Sequence, residues 1–179
     1  GRPGAYGQRK ANIIIQNCDL LISLGCRLSI PQIGRNYSTF AKNAKKIVVD
    51  IDKGELLKKT IQPDIRVNCD VKLFIENFIP LINKNELPNY GGWIKKCNHW
   101  SSKFIPEKES MYQHRKNINP YLFINGLSKI LSDNDIIVVD GGPVMNYVMQ
   151  VYDFKVDQRL ISSNGIELPG FALAGAIGC

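Results

Sequence analysis

The sequence that decides the fold is Cys18–Leu28, CDLLISLGCRL, together with Ala44–Lys59, AKKIVVDIDKGELLKK. In each stretch a continuous apolar run ends in a glycine or acidic turn, and a helix-like segment follows. Such runs are typical of buried parallel strands, and the turn after them is where α/β proteins hold nucleotides and phosphates. The arrangement recurs in Asp135–Val148, DIIVVDGGPVMNYV, and Leu160–Gly178, LISSNGIELPGFALAGAIG. The pattern predicts an α/β protein that binds a cofactor.

Outward from these stretches, apolar periodicity and turn residues predict alternating strands and helices, and hence parallel sheets covered by helices. The predicted strands are Leu20–Leu24, Ile47–Ile51, Ile65–Asn68, Ile136–Asp140 and Arg159–Ser162. The predicted helices are Gln8–Cys18, Thr39–Lys45, Glu55–Thr60, Val71–Ile82, Trp93–Ile105, Tyr121–Leu131, Val144–Tyr152 and a final glycine/alanine helix.

The polar stretch Asn83–Gly92, NKNELPNYGG, predicts a domain boundary. We expect a central Rossmann-like domain over 1–84, a linker with one helix over 85–118, and the N-terminal part of a second α/β domain over 119–179. The 179 residues are 44% hydrophobic, which suffices for one sizeable core and part of another. Because Gly1 is not a methionine and the chain ends just after a helix, we expect a segment of a longer protein.

The distribution of charge and the hydropathy of the chain indicate which classes of partner it does not bind. The formal net charge is +7, but the 23 basic residues are spread along the chain without the alternation with aromatic residues seen on RNA-binding sheets. Apolar runs such as Leu20–Leu24 are strand-sized, far below the length of a membrane span. We therefore expect a soluble protein whose partners are neither nucleic acid nor membrane.

Five cysteines form no CxxC pair and are odd in number, which predicts free thiols in a reducing cytoplasm. Cys97 and His99 lack a second ligand pair at zinc-site spacing, so we interpret them as helix residues. His114 has no obvious serine or cysteine partner. The sequence therefore predicts neither a catalytic residue nor a metal ligand within the chain.

The order of the sequence blocks resembles a known family. The blocks are GRPGAYGQRKAN, CDLLISLGCRL, FAKNAKKIVVDIDKGEL, VNCDVKLFIENF, IIVVDGG and ISSNGIELPGFALAGAIG. Together they resemble the central and early C-terminal regions of the thiamine-diphosphate-dependent acetolactate synthase (acetohydroxyacid synthase) family. The resemblance implies a central domain and the start of a diphosphate-binding domain. The family's GDG metal-binding motif and its N-terminal glutamate are absent, so we expect this chain alone to be inactive.

The resemblance also implies cofactor-binding residues in the central domain, where some family members bind FAD. Glycines let the backbone approach a diphosphate, and a carboxylate at a strand end can accept hydrogen bonds from ribose. The matching residues are Gly4, Gly7, Gln8, Gly25, Arg27, Asp50, Asp52, Glu55, Asp70 and Val71.

A purely structural interpretation of these residues stays open. The glycines could serve turns, and Asp52 could cap the next helix in a capping-box-like arrangement with Glu55. The chain also departs from the family after Arg27, where Leu28 to Pro31 replace the usual phenylalanine and aspartates. The sequence therefore leaves FAD binding undecided.

In the second domain, the resemblance places Gly141 and Gly142 near the cofactor diphosphate, where the amides of a helix N-terminus can face phosphate oxygens. The alternative is a tight turn with Pro143 at the first helical position. Gly165 matches the loop that faces the thiamine rings, and Leu168 is the candidate for the apolar residue that props the cofactor into a bent shape. The neighbouring Glu167 could affect proton transfer or face solvent.

The family implies a carboligase in branched-chain amino acid biosynthesis, with thiamine diphosphate and Mg²⁺ as cofactors. It would decarboxylate a 2-keto acid such as pyruvate and transfer the two-carbon unit to an acceptor carbonyl. A homodimer or homotetramer is implied because active sites in the family form between two chains. Two alternatives stay open: another superfamily member, such as a 2-keto acid decarboxylase or a sugar-modifying carboligase, and a non-catalytic nucleotide-binding module.

Overall fold

A computed structural model describes residues 1–105, 108, 117–163, 165–166 and 168–179. His114 and Glu167 lie outside the described residues. The chain forms two compact units. The first unit contains Pro3–Ala5 and Arg9–Lys103, and the second contains Gly1–Arg2, Tyr6–Gln8 and Phe104–Cys179.

The first unit is built on a three-stranded parallel sheet in the order β1-β2-β3. The strands are β1 (Leu20–Leu24), β2 (Lys45–Asp50) and β3 (Ile65–Asn68). Leu24 lies opposite Val49, and Asp50 opposite Asn68, so all three strands end at one edge. The prediction of an α/β fold with parallel strands is therefore confirmed.

Helices connect and flank these strands. They are α1 (Arg9–Asn17), α2 (Ile30–Ile33), α3 (Lys53–Leu57), α4 (Val71–Lys84) and α5 (Gly91–Lys103), with a 3₁₀ turn at Tyr37–Thr39. Apolar residues from α2, β2, α3 and the intervening loops form one core. Its buried members are Leu28, Ile33, Phe40, Ala41, Ala44, Val48, Leu56 and Ile61.

The predicted helix Thr39–Lys45 is wrong. Only the 3₁₀ turn forms there, Ala41 has a φ of 44°, and β2 already begins at Lys45. A residue in the left-handed region interrupts a right-handed helix. The fully buried Ala41 is instead fixed by packing and by its amide, which donates to Gln16 Oε1 at 3.1 Å.

The second unit has a parallel pair, β4 (Ile136–Val139) and β5 (Arg159–Ser162), in which Val139 lies opposite Ser162. Three helices accompany it: α6 (Pro120–Ile130), α7 (Pro143–Val151) and α8 (Phe171–Ile177). A Cβ on Gly175 of α8 would lie 3.2 Å from Val138 Cγ1, so this glycine lets α8 pack closely on β4. The buried core residues are Ile124, Ile137, Val139, Met145, Val148, Val151 and Tyr152.

Helix α5 belongs to the first unit and contacts α1. The domain limits 1–84, 85–118 and 119–179 stay a prediction.

None of the five cysteines forms a disulfide, as predicted. Burial raises the pKa of the Cys18 thiol. Among the described helices, none combines the length and the apolar character that a membrane span requires.

Candidate functional site

The carboxyl edge of the first sheet gathers most of the residues predicted to bind a nucleotide. Because the strands are parallel, the turns after Leu24, Asp50 and Asn68 all leave the sheet at this edge. The predicted residues at this edge, which we call the first edge, are Gly25, Arg27, Asp50, Asp52, Glu55, Asp70 and Val71.

Gly25 is required by the packing of the protein itself. Its φ is 54°, and its amide donates to the carbonyl of Val49 at 2.9 Å. A Cβ at this position would lie 3.0 Å from Val71 Cγ2. The turn and the close contact with α4 therefore explain this glycine without a cofactor.

Arg27 is the one cation among the predicted residues of the first edge. Its Nε lies 3.1 Å from Glu55 Oε1, and Lys58 Nζ lies 2.7 Å from Glu55 Oε2. Lys58 Nζ also donates to the carbonyl of Arg27. The Arg27 side chain is 80% exposed, so its remaining N–H donors are accessible to an anionic ligand.

The carboxylates of the first edge each have a structural partner. Asp50 is buried and its Oδ1 accepts from the amide of Asp52 at 2.9 Å. Asp52 Oδ1 accepts from Gly54 N at 2.7 Å, and Asp70 Oδ1 from Lys72 N at 2.7 Å. Both residues therefore cap helices, as the structural interpretation of Asp52 predicted.

The predicted capping-box-like arrangement of Asp52 and Glu55 is wrong. The amide of Asp52 is bound by Asp50, and the Glu55 carboxylate pairs with Arg27 and Lys58 instead. Glu55 is therefore held at the first edge by cations. Asp52 and Asp70 are exposed, and each can offer a carboxylate oxygen to ribose hydroxyls.

The glycine-rich opening of the chain is divided between the two units. Gly4 belongs to the first, where its amide donates to Asn12 Oδ1 at 2.7 Å and an added Cβ would lie 2.6 Å from the carbonyl oxygen of Pro31. Gly7 is buried in the second unit. Gln8 Nε2 there donates to the carbonyl of Gln150 at 3.0 Å. Gly4 and Gln8 therefore both have structural roles.

Sequence reasoning missed Ser23 in β1. This serine is buried, and its hydroxyl has no hydrogen-bond partner in the described structure. It lines a mostly apolar hollow of about 190 Å³ together with Leu24, Cys26 and Leu28. A buried serine within an apolar strand gives no signal in the sequence, because its missing partner is visible only in three dimensions.

The carboxyl edge of the second sheet, which we call the second edge, carries the Asp140 to Gly142 turn. Gly142 has φ 87° and ψ −157°, a conformation essentially restricted to glycine. Pro143 occupies the first helical position, as predicted, and contributes no N–H donor. Asp140 Oδ1 accepts from the amide of Ala172 at 2.9 Å, so it caps the start of α8.

Two buried polar atoms in the second unit have no described partner. They are Asn146 Oδ1 on α7 and Ser163 Oγ, directly after β5. Buried oxygens of this kind are normally satisfied by protein, water or a ligand. Neither residue was predicted from the sequence, although Ser163 belongs to the block ISSNGIELPGFALAGAIG that carries the family resemblance.

The loop after β5 contains the last two predicted residues. Gly165 has a φ of 104°, which favours glycine, and Leu168 is 55% exposed. The carbonyl of Leu168 accepts from the amide of Phe171, which begins α8. The exposed side chain of Leu168 is available for contact with a bound molecule.

The two edges fit different parts of a cofactor set. The first edge has a cation for a diphosphate and carboxylates for ribose, which suits FAD. The second edge has a glycine turn before α7 and unsatisfied buried hydroxyl and amide oxygens, which suits the organic and diphosphate parts of thiamine diphosphate. Among the described residues, no three histidine, cysteine or acidic side chains cluster as metal ligands.

Comparison with known proteins gives a consistent match. Residues 1–78 match the family described as thiamine pyrophosphate enzyme, central domain. The acetolactate synthase isozyme 1 large subunit of Escherichia coli K12 is 32% identical over 178 residues, covering 99% of this chain and 30% of the relative. The acetolactate synthase large subunit of Lactococcus lactis is 31% identical over 180 residues, covering 99% of this chain and 30% of the relative.

A probable acetolactate synthase large subunit of Methanococcus aeolicus is 30% identical over 192 residues, covering 99% of this chain and 31% of the relative. The chain thus spans less than a third of the length of these curated relatives. Their similarity extends across both units and both edges. Residues 1–78 therefore match the central domain of thiamine pyrophosphate enzymes, and the chain is similar, over nearly all of its length, to acetolactate synthase large subunits.

Proposed function

We propose that the chain is part of a thiamine-diphosphate-dependent carboligase similar to acetolactate synthase. The observation that carries the proposal is 32% identity to an acetolactate synthase large subunit over 99% of the chain. Thiamine diphosphate, when bound, supplies the carbanion chemistry by which a 2-keto acid such as pyruvate loses CO₂ and passes its two-carbon unit to an acceptor carbonyl.

In this proposal the second edge contributes to the thiamine site. The Gly141-Gly142 turn would lie beside the diphosphate, and the amides at the start of α7 would donate to its oxygens. Gly165 allows the loop to turn toward the rings, and Leu168 packs against them. The unsatisfied oxygens of Asn146 and Ser163 support a polar ligand at this edge.

The first edge is proposed to hold FAD. Arg27 would bind the diphosphate, while Asp52 and Asp70 would accept hydrogen bonds from ribose hydroxyls. Gly4, Gly7 and Gln8 stay predicted flavin-side residues by resemblance. Their present contacts assign Gly4 and Gln8 structural roles and do not require a flavin.

The remaining parts of the proposal concern the whole protein. We place it in the cytoplasm as a homodimer or homotetramer that acts on a small 2-keto acid. By the family resemblance, the residues that hold Mg²⁺ and the family's N-terminal glutamate would lie outside these 179, because the sequence contains no GDG motif.

The test is an assay of the full-length protein with pyruvate, thiamine diphosphate and Mg²⁺, in which acetolactate and CO₂ are measured. We expect both products, and neither when thiamine diphosphate is omitted. The 179-residue segment alone should release no CO₂. A full-length protein that binds thiamine diphosphate but releases CO₂ and free aldehyde would be a decarboxylase and would contradict the carboligase proposal.

A further inference from the structure

A cavity lies at the opposite end of the first sheet from the first edge. Its walls come from Arg35–Ser38 and Phe40, from Lys46 at the start of β2, and from Lys59–Gln62 ahead of β3. These segments precede strands that run in parallel, so they gather at the amino edge of the sheet. The cavity measures about 560 Å³, within the range that holds small-molecule ligands.

The charge lining this cavity, which we call the amino-edge pocket, has one sign. Among the described residues, Arg35, Lys46 and Lys59 line it, and no aspartate or glutamate does. Within the part of the chain that the structure describes, none of these three cations takes part in an ion pair. The neighbouring Asp64 is not among the lining residues, and its Oδ2 accepts from the backbone amide of Lys46 at 2.7 Å.

One of the three cations, Lys46, is partly fixed by a hydrogen bond. Lys46 is half-buried, and its Nζ donates to the carbonyl of Ala44 at 3.1 Å. An ammonium group has three N–H donors, so two stay available for a ligand. Three positive charges in a concave site, with no acidic side chain among its described lining residues, raise the local concentration of anions.

An unsatisfied hydroxyl adds an independent sign of a ligand. Thr60 lines the pocket between Lys59 and Ile61, and its Oγ1 is buried without a hydrogen-bond partner in the described structure. Leaving such a group unpaired is unfavourable, so native proteins rarely do it unless a water or ligand completes the bond. Tyr37 and Phe40 supply an apolar side to the same pocket.

We propose that the amino-edge pocket binds a phosphorylated small molecule. Arg35, Lys46 and Lys59 would neutralise the phosphate, the Thr60 hydroxyl would donate to one of its oxygens, and Tyr37 would contact the organic part. The site is distinct from the first edge, since it lies beyond the amino ends of the strands. The proposal for this pocket does not depend on the proposed carboligase activity.

The test uses the full-length protein and inorganic pyrophosphate as the probe, titrated by calorimetry and thermal unfolding at constant ionic strength. Lys46→Met should weaken pyrophosphate binding about tenfold or more, the effect of one charge-assisted hydrogen bond. Lys45→Met is the matched control, because Lys45 precedes Lys46 in the same strand and does not line the pocket. It should leave the affinity unchanged.

Thr60→Val separates ligand binding from folding. Removal of an unpartnered buried hydroxyl should leave the unliganded protein as stable as before, or more stable, while the affinity for pyrophosphate falls several-fold. The proposal is overturned if pyrophosphate stabilises the protein no more than chloride at equal ionic strength. It is equally overturned if Lys45→Met weakens binding as much as Lys46→Met.

Discussion

Asp140 Oδ1 accepts a hydrogen bond from the backbone N–H of Ala172 at 2.9 Å, across 32 residues of sequence. Asp140 directly follows β4, and Ala172 lies in the first turn of α8. The carboxylate therefore satisfies one of the amides that a helix start leaves without an intrahelical partner. This bond ties the turn proposed for the diphosphate to the helix that follows the loop proposed for the thiamine rings.

Replacing Asp140 should loosen α8. Asp140→Ala removes the acceptor, and we expect a loss of about 1 kcal/mol in the local stability of α8, the usual effect of a lost helix cap. Asp140→Asn keeps an oxygen acceptor and should lose less. Hydrogen–deuterium exchange of the Phe171–Ile177 amides measures the change.

Asp133→Ala is the matched control for Asp140→Ala. Asp133 is exposed, and its Oδ1 lies 3.9 Å from Lys155 Nζ, a pair too loose and too well solvated to matter much. It should leave exchange in α8 unchanged. Equal protection of α8 in Asp140→Ala and in the unaltered protein would show that the bond contributes nothing to the helix.

Two glycines of the second unit should respond to alanine in opposite directions. Gly142→Ala places a side chain at φ 87° and ψ −157°, which costs about 1–3 kcal/mol even though nothing lies within 4 Å of the added Cβ. Gly126→Ala in α6 meets equally open space in helical backbone, and should stabilise by about 0.5–1 kcal/mol. Urea unfolding followed by circular dichroism measures the free energy of unfolding of each variant. A Gly142→Ala protein as stable as Gly126→Ala would refute the strain argument.

The sequence predicted the sheets well, because short runs rich in leucine, isoleucine and valine between turn residues are typical of strands. The predicted limits of Leu20–Leu24, Ile65–Asn68 and Arg159–Ser162 match β1, β3 and β5. Short helices were harder to place. Helix α2 was missed, although Ser29 and Gln32 form a capping box around Pro31. At Ala41, tertiary packing overrode helical propensity.

The candidate site was predictable in part for the same reason. Residues that follow strand ends, such as Arg27 and Asp52, must gather at one edge once the strands are parallel. Their hydrogen bonds and ion pairs were not predictable from the sequence. The amide of Asp52 donates to Asp50, and the carboxylate of Glu55 pairs with Arg27. The unsatisfied Ser23 and Asn146 have no sequence signal, because an absent partner is a property of three-dimensional packing.

Arg27 should decide flavin affinity if FAD occupies the first edge. Arg27→Met removes the exposed guanidinium, and we expect the Kd of the full-length protein for FAD to rise about tenfold or more. Quenching of flavin fluorescence on titration measures this change. Lys45→Met, at the start of β2, removes a positive charge at the opposite edge of the sheet and should not change the Kd for FAD.

The flavin experiment has two contradicting outcomes. Absence of FAD binding by the unaltered full-length protein would exclude a flavin at the first edge and leave the thiamine proposal standing. FAD binding that survives Arg27→Met unchanged would place the flavin diphosphate away from Arg27. The ion pair with Glu55 contributes little to stability because Arg27 is 80% exposed, so the folded protein should tolerate the substitution.

Leu168 should act on turnover rather than on folding. Its side chain is 55% exposed, so Leu168→Ala should leave the melting temperature of the full-length protein nearly unchanged. If Leu168 props the bound thiamine cofactor, the truncation should lower kcat with pyruvate about tenfold or more, because small displacements of a reacting group are costly. Leu173→Ala is the control, since Leu173 is a 75% exposed leucine on α8. Steady-state kinetics at saturating thiamine diphosphate compares them, and an equal kcat in the two variants would rule out the role of Leu168 as a prop.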